Sequence, residues 1–212
     1  MELDSKQAFD KIEETFQDLR GVIAETKRSD SALLECFVLA QVFDNEKRYI
    51  REFFPIEANT DEYTRLANLE KAAGEEYKQL FPVYDRLSTQ EVVDLIYTEL
   101  QKIVPEYQKR MDYFGDMDLD KLIETLELRD RIKLLFDELE VWTNRFVRKD
   151  RIELERQDDL FKQITETDTK LKDELVVKSS THKDIYMEAE SRLIRKPNGK
   201  KRYDFWWWHA GE

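Results

Sequence analysis

Three aspartates and a glutamate in this sequence stand at the spacing of a calcium loop. Asp116, Asp118 and Asp120, followed by Ile123 and Glu127, match positions one, three, five, eight and twelve of an EF-hand, whose oxygens surround a hard cation. Lys121 occupies the sixth position, where glycine makes the sharp turn such a loop needs. Leu119, Leu122, Ile123 and Leu126 step as one face of a helix, so the acids read as the start of that helix, favoured by the positive end of its dipole. No metal is expected there.

Other reaction centres lack their residues. A carboxylate-bridged di-metal bundle needs Glu followed three residues later by His on opposed helices, and neither His182 nor His209 has Glu at that spacing. One cysteine and two distant histidines do not make a zinc site, and the chain has no Gly-rich phosphate loop or nucleophile elbow. Cys36 lies in the apolar run Ala32 to Ala40 with nothing electropositive beside it, and reads as a buried structural thiol. No cofactor and no catalytic residue is assigned.

The C-terminus has the most distinctive chemistry. Arg192, Arg195, Lys196, Lys200, Lys201 and Arg202 occur with no acid between them, in a chain of net charge −12. Tyr203, Phe205, Trp206, Trp207, Trp208 and His209 follow. Cations beside rings suit single-stranded nucleic acid, where phosphates meet the charges and bases stack on the aromatics. They equally suit docking onto the chain's own acidic helices, or onto a second subunit. The candidate partner-binding residues are Arg195, Lys196, Lys200, Lys201, Arg202, Tyr203, Trp206, Trp207 and Trp208, and the tryptophans are expected to be at least partly buried.

Arg202 and His209 are separated by six residues, which resembles, at its outer limit, the arginine-to-histidine spacing of the HEPN class of helical ribonucleases. In that class the pair lies on a helix and acts across a dimer interface. Here it follows the turn Pro197-Asn198-Gly199, and three of the intervening residues are Trp. The resemblance covers two residues and does not assign the chain to that class.

These residues need elements to position them, and the composition points to helices. Charged residues make up 39% of the 212, and glycine with proline only nine positions, which suits long solvated helices better than sheets with many turns. An aromatic share of 12% supplies enough apolar surface to offset ordering entropy. From Asp116 to Lys196 there is neither glycine nor proline, the residues that most disfavour helix interiors. Within that stretch Ile132, Leu135, Leu139, Trp142 and Phe146 step by three and four. Leu154, Phe161, Ile164, Leu171 and Leu175 resume the stepping about one residue out of phase, which predicts one long helix or two meeting near 148–151.

Upstream, Phe9, Ile12, Phe16, Leu19 and Ile23 mark a first helix, behind an approximate capping box at Asp4 and Gln7. A second, most buried in its first half, ends before Pro55. Asn59 with Glu62 suggests a capping box for a third, interrupted or merely softened at Gly74 and ended at Phe81 by Pro82. Ser88-Thr89-Gln90-Glu91 is the clearest capping box, opening a helix that Pro105 should kink or break and that Gly115 terminates. Thr181 with Asp184 can cap a short last helix. No internal repeat is visible.

The expected fold is therefore an all-α helical bundle with one or two long, partly coiled-coil-like helices and a short irregular or hairpin-like C-terminal tail. Its expected parts are 1–115, a bundle portion; 116–196, a long helical segment with breaks near 148–151 and 178–181; and 197–212, the basic-aromatic tail. The expected function is a non-catalytic scaffold or adaptor that binds a protein partner and self-associates as a homo-oligomer. A nucleic-acid-binding component of a larger complex, and a helical ribonuclease or metal-dependent enzyme, are the alternatives. Net charge argues against anionic membranes, and no window approaches the ~20 apolar residues of a membrane span. With no signal-peptide pattern at the start and one cysteine, a cytoplasmic setting is expected.

Overall fold

The computed structural model describes residues 5–54, 60–146, 151–177, 184–185, 188, 192 and 206–209. Every element among them is helical, so the chain is an all-α bundle protein. It divides into two compact units, residues 1–91 with 190–195, and residues 92–189 with 196–212.

In the first unit, helix α1 (Ser5–Glu25) turns every one of its predicted stripe residues, Phe9, Ile12, Phe16, Leu19 and Ile23, into the core. Helix α2 (Ser31–Phe53) returns antiparallel to it, bringing the Phe43 ring within 6.2 Å of Phe16. Its first half is buried almost all round, at Leu33, Leu34, Cys36, Phe37 and Val38, and its second half on one side only. Helix α3 (Asp61–Tyr77) lies alongside α1 in the same direction. Arg65 near its start pairs with Asp10 and Glu13, and Glu76 near its end meets Arg20 at 3.4 Å. The result is an up-down-up arrangement around Phe9, Ile12, Phe43, Ile50, Leu66 and Leu69.

Local details depart from the sequence reading here. The cap of α3 is Thr60, whose hydroxyl accepts from the Tyr63 amide, while Asn59 lies outside the described residues. Gly74 leaves α3 uninterrupted, because one glycine costs only about 1 kcal/mol and the neighbouring Ala73 is buried. Pro82 does not end that helix. A 3-10 turn at Lys78–Leu80 does, and Pro82 sits in the first turn of a short helix α4 (Phe81–Arg86), where its missing N–H has no intrahelical partner to lose.

Helix α5 (Thr89–Met111) opens with the predicted capping box closed in both directions. The Glu91 amide donates to Ser88 Oγ at 3.2 Å, and the Ser88 amide donates to the Glu91 carboxylate at 2.7 Å. It runs through Pro105 without ending, so of the expected kink or break the break does not occur. Ile103, Val104 and Tyr107 are buried on either side of the proline, so packing holds the segment helical against the single lost backbone bond.

Within the stretch without glycine or proline the described residues form two long helices of the second unit, α6 (Leu119–Phe146) and α7 (Arg151–Val177); residues 147–150 and most of 178–196 lie outside the described set. Their contacts pair residues in opposite order along the chain. Gln157 donates to Thr143 Oγ1 at 2.8 Å, the Phe136 and Phe161 rings lie 6.1 Å apart, and Arg129 meets Asp168, so the helices are antiparallel. Helix α5 lies antiparallel to α6 through Glu99–Arg131 and Arg110–Glu124, and parallel to α7 through Tyr107–Asp168 and Asp112–Lys170. The up-down-up connectivity of the first unit thus recurs in the second, without a repeat in the sequence.

The stripe of α7 differs from the expected one. Leu160, Ile164, Thr167, Leu171 and Leu175 face inward, and Phe161 is 59% exposed. Starting the count at Leu160 gives steps of four, three, four and four, which keep one face against α6; Phe161 lies about 100° further round. The side chains of Phe146 and Leu154 lie outside the described set.

Candidate functional site

The densest polar constellation lies in the second unit, where α5, α6 and α7 meet a short C-terminal turn. Arg129 on α6 is buried and forms a fork-to-fork pair with Asp168 of α7. Its Nε is 2.6 Å from one carboxylate oxygen and its Nη2 2.7 Å from the other. The Tyr107 hydroxyl, from α5, donates to the same Asp168 at 3.1 Å. Burial first, then the Asp168 charge, pushes the Tyr107 hydroxyl well above its ordinary pKa, so it remains a donor.

The turn is a single 3-10 element, Trp206–His209. The Trp207 indole N–H donates to Asp130 Oδ1 at 2.7 Å, and the Trp208 N–H lies 3.0 Å from both oxygens of the same carboxylate. Arg129 also lies over the Trp207 ring, its guanidinium carbon 4.3 Å from the centroid. Both indoles are buried, at 2% and 1% exposure. Adjacent residues of one helix therefore do two things: Asp130 receives the indole edges, and Arg129, oriented by Asp168, receives an indole face. Arg129 Nη1 is buried without a hydrogen-bond partner among the described residues.

Among the predicted site residues, then, Trp207 and Trp208 converge on α6. Trp206 is in the same turn, with its side chain outside the described set. Arg195, Lys196, Lys200, Lys201, Arg202 and Tyr203 also lie outside it. His209 closes the 3-10 turn, but Arg202 and the His209 side chain are not described.

At the calcium-loop spacing, Asp118 caps α6. Its Oδ1 accepts from the Lys121 amide at 3.0 Å, and its other oxygen lies 3.3 Å from the Lys121 ammonium. That use of the acid agrees with the helix-start reading. Among the described residues no group of three or more His, Cys, Asp or Glu is placed to hold a metal. Cys36 is buried, and burial, with Glu35 beside it, pushes its thiol up to about 12. A second buried polar contact sits in the first unit, where Thr15 Oγ1 donates to Glu46 Oε1 at 3.0 Å and the other Glu46 oxygen has no hydrogen-bond partner. Burial pushes that carboxyl up to about 8.

Sequence reasoning passed over Arg129, Asp130, Asp168 and Glu46. A signal existed for two of them. Arg129 follows Leu122 and Leu126 on the buried stripe, and Glu46 falls between Phe43 and Ile50 on another, and a charge at a stripe position is a buried polar group in need of a partner. Comparison with protein-family models, with curated proteins and with solved structures finds no match to this chain.

Proposed function

We propose that the protein is a non-catalytic helical scaffold or adaptor, acting through protein–protein contact and self-association in a cytoplasmic setting. The observation that carries this reading is an aromatic pair on the α6–α7 hairpin. Phe161 is largely exposed although it is a large apolar side chain, and it lies against Phe136 from the neighbouring helix, so the apolar surface spans both helices. Single exposed rings are ordinary, but rings joined across a helix seam suit a helical face of another protein or a second copy. The basic stretch from Arg195 to Arg202 with Tyr203 serves as a further docking segment in this reading. Stacking nucleic-acid bases on Trp207 and Trp208 would require both indoles to leave Asp130, which places that alternative second. No helix among the described residues is long and apolar enough to cross a membrane.

Light scattering on the full chain tests the proposal. Wild-type protein is expected to show a mass above 25.6 kDa at micromolar concentration, and Phe161→Asp to return it to the single-chain mass without loss of helical circular dichroism. Single-chain mass for the wild type at every concentration, with no loss of partner capture by Phe161→Asp, would reject it.

A further inference from the structure

The Trp206–His209 turn is too short to hold itself in place. Four residues of 3-10 structure contain little internal bonding, so the turn's position rests on what its side chains meet. What they meet is a built seat. Asp130 offers one carboxylate to two indole N–H groups, and Arg129 offers a guanidinium face to one indole ring. The seat belongs to the bundle and not to the turn, because Arg129 is oriented by both oxygens of Asp168, and Asp168 in turn accepts from Tyr107. Those bonds connect α5, α6 and α7 to one another and do not need the turn. The geometry is that of a receptor with a peptide ligand that happens to be covalently attached.

We infer that the Arg129–Asp130 seat is a recognition site for an indole-bearing C-terminal turn, and that the same turn of a second copy of this chain can fill it. Thirteen residues separate Arg192, the last described residue before the turn, from Trp206. A chain of that length spans at most about 50 Å when fully extended, so covalent reach alone does not confine the turn to its own bundle. The same two donors and the same ring face satisfy the seat whichever copy supplies them, which is the condition under which exchange of an identical element between protomers makes a dimer. A partner copy then contributes Trp207 and Trp208 to a site that is incomplete without them. This inference deepens the self-association proposed above but uses a different surface.

Complementation between two full-length variants tests it, both carrying Phe161→Asp so that the aromatic-pair contact is removed. One carries Trp207→Ala with Trp208→Ala, which leaves a free seat and a disabled turn. The other carries Asp130→Ala, which leaves an intact turn and a disabled seat. Each alone is expected to run as a single chain. Mixed at about 50 μM, they are expected to give a 1:1 species of twice 25.6 kDa. A labelled peptide of residues 201–212 should bind the first variant, and at least tenfold more weakly once Asp130→Ala is added to it. If the alanine pair lacks native helical signal, Trp207→Phe with Trp208→Phe keeps an aromatic ring at each position while removing both N–H donors and takes its place. Failure of the peptide to bind overturns the seat as a recognition site. Peptide binding without a mixed dimer overturns the exchange.

Discussion

Arg129 of α6 and Asp168 of α7 meet through two parallel hydrogen bonds, of 2.6 and 2.7 Å, in a seam from which water is largely excluded. Taking two charges out of water is costly, and the bidentate geometry with the added Tyr107 bond offsets that cost. The pair orients the guanidinium on which the Trp207 ring packs, so one contact contributes to both the helix hairpin and the seating of the C-terminal turn.

Removing only one partner should therefore be severe. Asp168→Ala leaves a buried guanidinium without its carboxylate and is expected to lower stability by about 3 to 5 kcal/mol, read as a shift of the urea midpoint. Replacing both, Arg129→Met with Asp168→Leu, should recover most of that loss, since no charge then remains buried. A cost of under about 1 kcal/mol for Asp168→Ala would show that the pair does not hold the seam.

Glu46 makes the first unit sensitive to alkali. Its carboxyl is pushed by burial from an ordinary 4.5 up to about 8, opposed by the Thr15 hydrogen bond and Lys11, and reinforced by Glu14. Between those two values the unfolded chain has released a proton that the folded chain keeps, so stability falls as pH rises from about 4.5 to about 8 and levels off above. The slope from this one group is at most about 1.4 kcal/mol per pH unit. Glu13 works in the opposite direction. The Arg65 hydrogen bond holds it below the ordinary range, so its contribution is present above about 4.5 and lost only on acidification. Glu46→Gln, which keeps an acceptor for Thr15, should gain over wild type progressively from pH 5 to pH 8. An equal difference at both pH values would rule out Glu46 as the source.

Leu160 and Phe161 are neighbours with opposite expected effects. Leu160→Ala empties a buried position and should cost about 2 to 5 kcal/mol. At concentrations where the protein is a single chain, Phe161→Ala removes a ring that is mostly in water and should change stability by well under 1 kcal/mol. Thermal denaturation of the two variants decides this, and the reverse order would mean that α7 presents the other face.

The capping box at the start of α5 is exposed, so its effect should be modest and local. Ser88→Ala removes the acceptor for the Glu91 amide and is expected to cost about 1 kcal/mol, whereas Ser88→Gly should cost only a few tenths. The Ser88 amide and hydroxyl hold the Glu91 carboxyl below its ordinary range, and Ser88→Ala should move it upward in a carboxylate-detected titration. An unmoved Glu91 would mean that the box is open in solution.

The all-α class, the stripe of α1 and the doubly closed box at Ser88 and Glu91 were all legible in the residues. Each is a local property. Helical periodicity, side-chain capping and the absence of glycine and proline act within a few turns, and a sequence records them directly. Where a local penalty met tertiary packing, packing kept the helix continuous. Pro105 stays inside α5 because Val104 and Tyr107 are buried beside it, and Gly74 stays inside α3 beside Ala73.

What the sequence determined by itself was therefore helix, and which faces of most helices are apolar. Which of two adjacent apolar residues faces inward on α7 was decided by the register of α7 against α6, which buries Leu160 and leaves Phe161 in water. The partners of the charges on the stripes were likewise decided only by the tertiary structure. Arg129 lies 39 residues from Asp168, and Asp130 lies 77 and 78 residues from Trp207 and Trp208. A hydrogen bond depends on distance and angle in space, and sequence separation contains neither, so the need for partners could be read in the chain while their identity awaited the fold.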